Sequence, residues 1–347
     1  MSQNKKNILC VVGSLNQTSQ LHQIASFLDK EYNIFYTQLY GDGLAYKFVA
    51  ESGFFDNTVL GKNSSFTQRS KKYIKENNLV YDYRGETKGI HYDLAIMSTD
   101  MVVPSSFLSK KMVWVQEGMI DPLTPIAKLV KKFKLPTFLP GNTSLNGTTN
   151  IADIYFAASK GYKKYFNSLG TQSEKILTTG VPNFDNIIEM QKLHFEHKDY
   201  VLVASSDIRE LGGNEDRVHF INECVRIADG RQLIFKLHPN ENFDKSSREI
   251  RENTPADTMI FNTGSIDPMI AHCHTLITQF SSTVYLGMIL GKKIYSYFPI
   301  EELEANVPIQ NGGTSAEIIS KIIRDFMEYE GNKDTFLAQY EPAKSFL

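Results

Sequence analysis

Three short apolar runs in the second half of the chain constrain its fold more than any other feature. They are residues 201–204, 233–235 and 275–278, and each ends in a polar loop. Stretches with helical spacing follow these loops, an alternation that is typical of parallel βα units. Loops that follow parallel strands lie along one edge of the sheet. We therefore expect the three polar loops to lie close together and to form a binding site.

The first half of the chain shows the same alternation. Its predicted strands are residues 8–12, 33–39, 92–97, 112–115, 154–157 and 175–182, and its predicted helices include residues 19–29, 127–134 and 159–169. A chain of 347 residues is long for one core. We therefore predict an α/β protein with two Rossmann-like domains that face a central cleft. The predicted parts are an N-terminal domain at 1–186, a linker helix at 187–199, and a C-terminal domain at 200–347 that ends in an amphipathic helix at 315–329.

The composition excludes several classes of protein. A formal net charge of -2 argues against a nucleic-acid partner. No apolar run approaches the ~20 residues needed to cross a bilayer, and the polar first residues do not resemble a signal peptide. The cysteines, Cys10, Cys224 and Cys273, form no CxxC pair, and the first two are most simply core residues. A cytoplasmic location is therefore expected.

A basic helix is predicted at residues 127–134. It carries Lys128, Lys131, Lys132 and Lys134. Such a run usually means a solvated face, and attraction to an anionic membrane surface is the alternative. Peripheral association at the inner face of the cytoplasmic membrane is therefore left open.

Ser281, Ser282 and Thr283 stand where a predicted strand gives way to a helix. Free backbone N–H groups, hydroxyls and the helix dipole at such a position suit a phosphate. A plain Ser/Thr N-cap, which needs no ligand, is the alternative. The neighbouring polar loops favour phosphate binding.

His238 ends another predicted strand, and Pro239 keeps it extended at the carboxyl end. A histidine held there can bind a phosphate oxygen or donate a proton to a leaving phosphate. A structural histidine is the alternative. Lys236 is offset by two residues and is expected on the same side of the strand.

Two carboxylates are candidates for the chemical step. Glu117 ends a predicted strand of the first half, where a general base facing the cleft belongs. Asp207 follows residues 201–204 and suits a base, a nucleophile or a simple cap. A solvated loop carboxylate is the plain alternative for Glu117.

His272 and His274 flank Cys273, which invites a metal interpretation. In an extended segment, however, the two histidines point one way and the cysteine the other. Third and fourth ligands are not apparent, so we expect no metal site and no metal cofactor.

Residues 156–162 and 176–185 resemble the segment that closes the first domain in two-domain GT-B glycosyltransferases and their relatives. Those relatives are the UDP-N-acetylglucosamine 2-epimerases, the CDP-glycerol glycerophosphotransferases and the capsule glycosyltransferases. Residues 280–293 are similar to their donor-phosphate helix and the next strand. The resemblance implies a GT-B fold, with residues 1–186 on the acceptor side and residues 200–347 binding the nucleotide sugar.

The pairs Glu117-Gly118, His238-Pro239 and Ser281-Ser282 resemble, in the same order, motifs of bacterial polysialyltransferases and capsule relatives that include the Kdo transferases. The resemblance implies a CMP-activated sugar, a base before the glycine, and a histidine and serines at the donor phosphate. Retaining Kdo transferases also have an aspartate near the anomeric carbon, and the resemblance suggests that Asp207 corresponds to it. Further residues are expected to bind the donor, and these are Lys236, Pro239, Thr283, Gly180 and Ser206. The residues expected on the acceptor side are Gly13, Ser14 and His22.

One difference from these motifs concerns the polysialyltransferases. Polysialyltransferases carry an acidic pair before the glycine, whereas this sequence has Gln116-Glu117. For His22, which is close to the start of a predicted helix, a surface or capping histidine is the plain alternative.

The leading hypothesis is a cytoplasmic, metal-independent glycosyltransferase of surface-polysaccharide biosynthesis. It would move Kdo or a sialic-type sugar from a CMP-linked donor to a saccharide or glycolipid acceptor. A nucleophilic Asp207 implies retention, and Glu117 as base in a direct displacement implies inversion. The alternatives are an epimerase, although residues 13–16 lack the Arg-Pro-Glu of that family, a CDP-glycerol-type glycerophosphotransferase, and a binding protein without catalysis.

Overall fold

A computed structural model describes residues 5–53, 56, 59, 61, 64–85, 90–210 and 212–340. The chain forms two compact units. The first unit runs to Asp185 and resumes at Pro308, and the second unit is Asn186–Val307. Each unit contains a parallel β-sheet, so the predicted α/β fold with two such units is confirmed.

The sheet of the first unit has the strand order β2-β1-β3-β4-β5-β6. Its strands are β1 (Asn7–Val12), β2 (Asn33–Gln38), β3 (Leu94–Met97), β4 (Lys111–Val115), β5 (Ile154–Ala157) and β6 (Ile176–Thr178). The helices before the second unit are α1 (Leu15–Ala25), α2 (Leu44–Glu51), α3 (Ser65–Glu76), α4 (Pro125–Lys132) and α5 (Lys160–Ser168). Because β1 lies between β2 and β3, the order in which successive strands are added to the sheet reverses beside β1.

The sheet of the second unit has the strand order β11-β10-β7-β8-β9, again with parallel pairing. Its strands are β7 (Val201–Ala204), β8 (Leu233–Lys236), β9 (Met259–Phe261), β10 (Thr275–Thr278) and β11 (Lys293–Tyr295). Its helices are α6 (Arg217–Ala228), α7 (Phe243–Asn253), α8 (Asp267–His272), α9 (Thr283–Ile289) and α10 (Ile300–Asn306). Strands β7, β8 and β10 are fully buried, which is why they read as continuous apolar runs.

The last helices belong to the first unit, not to the C-terminal domain as the sequence suggested. They are α11 (Ser315–Glu328) and α12 (Phe336–Gln339). The apolar stripe of α11, which includes Ile319 and Ile323, is buried in one cluster with Ile8 of β1 and Val113 of β4. Helical periodicity predicts that such a stripe is buried, but not which sheet it covers.

Lysines bind the carboxyl end of α11. The Lys111 ammonium donates to the carbonyl of Phe326 at 2.6 Å and to that of Tyr329 at 2.8 Å. Lys6 donates to the carbonyl of Met327 at 3.0 Å. These ammonium groups bind carbonyls of the last turn of α11 and of its C-cap residue, and they fasten α11 to the first sheet.

Two local expectations also differ from the structure. The linker predicted as a helix at 187–199 contains only a 3₁₀ stretch, Ile188–Lys192. Helix α1 begins at Leu15 rather than residue 19, because the Ser14 hydroxyl accepts a hydrogen bond from the Gln17 N–H and caps the helix. Among the described residues, no helix is long and apolar enough to cross a membrane.

Candidate active site

The second unit gathers the three polar loops at one edge of its sheet. Strand β7 lies between β8 and β10, so residues 205–207, His238 and residues 279–282 follow adjacent parallel strands. The strand order reverses between β7 and β10. Such a switch point opens a crevice beyond the carboxyl ends of the strands, which is where open α/β sheets bind ligands.

Asp207 and His238 form a pair at this edge. The Asp207 carboxylate lies 3.4 Å from Nδ1 of His238. The Asn240 side-chain amide donates to the same carboxylate oxygen at 2.7 Å, and the Asn240 N–H lies 3.3 Å from Nδ1. The side chain of His238 is 39% exposed and that of Asp207 is 15% exposed, so solvent and ligands can reach the imidazole.

Glu241, which the sequence analysis missed, holds the His238 backbone. Its carboxylate accepts hydrogen bonds from the His238 N–H at 3.0 Å and from the Ser205 hydroxyl. Its second oxygen lies 2.5 Å from the Arg217 guanidinium. The side chains of Glu241 and Arg217 are only 1% and 3% exposed, so this is a buried ion pair directly beneath the His238 turn.

The same network reaches the loop after β10. Arg217 also pairs with Glu215 at 3.3 Å, and the Gln279 side-chain amide donates to Glu215. The carbonyl of that Gln279 amide accepts a hydrogen bond from the Ser206 N–H at 3.2 Å. A continuous chain of polar contacts therefore connects the loops that follow β7, β8 and β10. In the sequence these charges look like ordinary surface residues, and only their burial sets them apart.

Ser206 carries a buried hydroxyl at the switch point. Among the described residues, its Oγ has no hydrogen-bond partner. A buried polar group without a partner is costly, and a ligand is one way to satisfy it.

The hydroxyls after β10 are partly used within their own turn. The Ser281 hydroxyl lies 2.9 Å from the Thr283 hydroxyl and accepts a hydrogen bond from the Thr283 N–H at 3.3 Å. Ser282 is exposed and precedes α9 without a side-chain cap. The Ser281 hydroxyl is therefore used within its own turn, whereas Ser282, at the N-cap position of α9, is exposed to solvent.

Two of the assigned donor residues, Lys236 and Gly180, have structural explanations. The ammonium of Lys236, whose pKa is lowered by burial, donates to the Thr263 carbonyl at 3.1 Å. Pro239 is exposed in the turn after His238. Gly180, in the first unit, has φ of +76°, and a Cβ there would lie 2.5 Å from the Ser315 hydroxyl and 3.0 Å from the Ile309 carbonyl.

Glu117 lies beyond β4 in the first unit, next to the N-terminus of α1. Its carboxylate accepts hydrogen bonds from the Ser14 hydroxyl at 2.9 Å and from the Gln17 amide at 2.8 Å. Burial raises the pKa of the Glu117 carboxyl above its ordinary value, while these two hydrogen bonds act in the opposite direction. The result is a positioned carboxylate that holds a proton more readily than a solvated glutamate does.

The residues around Glu117 fix the loop after β4. The Gln116 amide donates to the Gly118 carbonyl at 2.7 Å, and its oxygen accepts from the Ala158 N–H at 2.8 Å. Asn183 donates to the Glu117 carbonyl at 3.2 Å. Gln116 is therefore a buried scaffold residue, and a second carboxylate there would lose the bond to the Gly118 carbonyl.

The three residues assigned to the acceptor side do not lie together. Gly13 and Ser14 precede α1, and a Cβ at Gly13 would come within 3.0 Å of the Gln17 amide oxygen. His22 is eight residues further along than Ser14, about 12 Å along a helix axis. Its Nδ1 lies 3.0 Å from the Tyr73 hydroxyl, and burial lowers its pKa. His22 lines a separate open cavity of about 330 Å³ beside β2.

The His-Cys-His stretch differs from the extended segment that was expected. His272 ends α8, and its Nε2 lies 2.7 Å from the Leu193 carbonyl. The Nδ1 of His274 lies 2.8 Å from the Thr275 hydroxyl. Within the described ranges, no group of three histidine, cysteine or acidic side chains could hold a metal ion.

No protein-family model matches this sequence, and no curated protein matches it. Solved structures do match. A UDP-N-acetylglucosamine 2-epimerase aligns over 95% of this chain and 98% of its own, with 12% identity and a TM-score of 0.56. The epimerase from Neisseria meningitidis aligns over 92% and 99%, with 11% identity and a TM-score of 0.53. The wall teichoic acid polymerase TagF aligns over 93% and 89%, with 11% identity and a TM-score of 0.50.

The chain has a GT-B-type fold. The matches span both units and nearly the whole length of these structures. At such low identity the likeness establishes the fold and not the activity. The epimerases and TagF correspond to two of the related groups that the sequence motifs indicated, and the predicted fold is confirmed.

Proposed function

We propose that this protein is a glycosyltransferase with a nucleotide-activated sugar donor, whose phosphate binds at the switch point of the second unit. The observation that carries the proposal is the Asp207–His238 pair beside the buried hydroxyl of Ser206, which has no hydrogen-bond partner in the described part of the chain. The ring contacts of His238 are made through Nδ1, so Nε2 is the nitrogen that meets the phosphate. A cationic or proton-donating imidazole there stabilises the charge of the leaving nucleotide.

The remaining groups supply binding and proton removal. Ser206 and Ser282 hydrogen-bond the donor phosphate, with Ser281 and Thr283 shaping the turn that presents Ser282. Glu117 is the general base for the acceptor hydroxyl, because its raised pKa makes its carboxylate a stronger proton acceptor than that of an ordinary glutamate. The acceptor is a saccharide or a glycolipid. These groups can offset the phosphate charge, so the proposed reaction needs no metal.

For the donor we propose a CMP-activated sugar, with Kdo or a sialic-type sugar as the transferred group. Support comes from the order of the Glu117-Gly118, His238-Pro239 and Ser281-Ser282 pairs. A UDP-dependent epimerase is the second candidate, because the matching Neisseria meningitidis epimerase was solved bound to UDP-GlcNAc. A CDP-glycerol-type glycerophosphotransferase is the third, and the three differ in the nucleotide they bind.

Thermal shift with CMP, CDP, UDP and GDP separates these candidates. A ligand at about 100 times its Kd should stabilise the native protein by roughly 2.7 kcal/mol. We expect CMP to raise Tm, and we expect His238→Ala to abolish most of that rise. His219→Ala, at an exposed histidine of α6 in the same unit, is the matched control and should respond like the wild type. Chelation with EDTA should leave the CMP response unchanged.

The other outcomes are equally informative. A response to UDP alone moves the assignment to the epimerase, and a response to CDP but not CMP moves it to the glycerophosphotransferase. If none of the nucleotides changes Tm, or if His238→Ala responds like the wild type, the proposed donor site is wrong.

A further inference from the structure

Helix α4 of the first unit exposes large apolar side chains. Ile126, Leu129 and Phe133 are 59%, 54% and 63% exposed. Their spacing of three and four residues places them on one side of the helix. Leu135 and Leu139, in the segment that follows the helix, are also 47% and 42% exposed. We call these five residues the α4 patch.

The α4 patch is not needed to hold the helix in place. Ala127 and Val130 are buried on another side of α4, in a small cluster with Leu145. The Thr124 hydroxyl accepts a hydrogen bond from the Ala127 N–H and caps the helix, and Pro125 suits its first turn. The helix is therefore anchored without the exposed side chains, which remain directed away from the core.

Positive charge surrounds the patch. Residues 122–140 contain four lysines and neither aspartate nor glutamate, although the whole chain has a net charge of -2. All four lysines are exposed residues, but the Lys131 ammonium donates to the Leu169 carbonyl, so Lys128, Lys132 and Lys134 are the lysines that we expect to meet a partner. The Lys132 ammonium lies 5.7 Å from the centre of the Phe133 ring. A basic, apolar surface therefore lies on one short segment, whereas the rest of the chain carries a net charge of -6.

We propose that the α4 patch docks on an anionic lipid bilayer. Apolar side chains enter the boundary between headgroups and acyl chains, while flexible lysines reach the anionic headgroups. The combination favours a membrane over a protein partner, because the centres of protein interfaces are depleted in lysine. Nucleic acid would use the lysines but would leave the aliphatic side chains in water. Docking would place the first unit at the surface where a glycolipid acceptor resides.

Flotation of the purified full chain with lipid vesicles tests this proposal. Vesicles of phosphatidylcholine with roughly one-third phosphatidylglycerol should carry the protein at low salt, and pure phosphatidylcholine should not. Added salt should weaken the binding by screening the lysines. Because no nucleotide is present, the result is independent of the donor proposal.

The apolar variant combines Ile126→Gln, Leu129→Gln and Phe133→Gln. This variant should bind anionic vesicles roughly a hundredfold more weakly, because three apolar side chains are no longer transferred from water into the bilayer. Its matched control combines Phe27→Gln, Val80→Gln and Leu108→Gln, which replace three exposed apolar residues elsewhere in the first unit, and it should bind like the wild type. Unchanged circular dichroism and Tm would show that the variants fold.

The charge variant and its control change the net charge equally. The variant combines Lys128→Gln, Lys132→Gln and Lys134→Gln, and the control combines Lys71→Gln, Lys72→Gln and Lys75→Gln on the exposed face of α3. Each lysine lost from the α4 segment should weaken binding about fivefold, whereas the control should bind like the wild type. The proposal is overturned if the wild type does not float with anionic vesicles. It is also overturned if the apolar variant floats as well as the wild type, or if the α3 control loses as much binding as the charge variant.

Discussion

Replacing Arg217 with methionine should lower the free energy of unfolding by roughly 3–5 kcal/mol, the usual cost of breaking a buried ion pair. The Arg217 guanidinium lies between Glu241 and Glu215, and all three side chains are nearly inaccessible to solvent. Methionine fills a similar volume but leaves the buried Glu241 carboxylate without its ion-pair partner, while Glu215 keeps an ion pair with Arg209 at 3.4 Å. The loss should therefore greatly exceed that of a surface pair.

Urea denaturation followed by far-UV circular dichroism measures this effect. Trp114 is the sole tryptophan of the chain and is fully buried in the first unit, so its fluorescence follows that unit separately. Arg226→Met is the matched control, because Arg226 pairs with Glu223 on the exposed surface of the same helix. The control should leave the urea midpoint unchanged. An unchanged midpoint for Arg217→Met would show that the network does not stabilise the fold.

A compensated variant separates charge from packing. Adding Glu215→Gln and Glu241→Gln to Arg217→Met removes the buried negative charges together with the positive one. Part of the lost stability should return, because replacing all members of a buried ionic group costs less than removing one. Failure of the neutral variant to recover any stability would assign the effect of Arg217→Met to packing.

Glu117→Gln should reduce transfer by about 10²–10⁴-fold, the range expected when a general base is lost. The measurement is kcat/KM for transfer from the donor that thermal shift identifies. Glutamine can keep the contacts with Ser14 and Gln17, so the change removes the base rather than the loop geometry. Glu174→Gln, at an exposed carboxylate of the same unit, is the control and should retain activity.

The pH dependence of kcat/KM provides a second test of the role of Glu117. Because the base must be ionised, wild-type kcat/KM should rise with pH through a pKa above that of an ordinary glutamate. If Glu117→Gln keeps its activity and Asp207→Asn loses it, the carboxylate chemistry belongs to Asp207 instead.

As the pH rises, the contribution of Glu117 to protein stability should fall while the enzymatic activity rises. A pKa raised on folding means that the folded protein binds the Glu117 proton more tightly than the unfolded chain does. The contribution of Glu117 to the free energy of unfolding therefore falls as the pH rises from the pKa of the unfolded chain to the higher pKa of the folded protein. Above the higher pKa this loss of stability stays constant. At neutral pH, Glu117→Gln should be at least as stable as the wild type by urea denaturation. A marked loss of stability would show that the ionised carboxylate has a structural role.

Strands β7, β8 and β10 were predictable because each is a buried apolar run, whereas the half-buried β9 was not predicted. Residues 201–204 and 275–278 were predicted with the bounds they have in the structure, and the polar loops after them lie side by side because parallel strands share an edge. The place of α11 was not predictable, since a periodic apolar stripe does not specify its partner sheet. His22 was placed near the wrong end of α1 because the Ser14 cap starts that helix four residues earlier.

The polar part of the candidate site was predicted only in outline. Asp207 and His238 were recognised from their positions after buried strands, but the contact between them depends on the Asn240 turn. Glu241 and Arg217 were missed because charged residues are normally exposed, and burial is a property of the folded chain. Gln17 was missed for a related reason: its contact with Glu117 joins residues 100 positions apart.

The return of the chain to the first unit has a consequence for its synthesis. Residues 186–307 form an insertion, with both ends joined to the first unit. Strands β1 to β6 leave the ribosome early, yet one stripe of their core is supplied by Ser315–Glu328. The inserted unit can complete its own core as soon as residue 307 has emerged. Domains generally fold as units during translation, so the unit in the middle of the chain should be the first to finish, while the N-terminal sheet waits for the last helices.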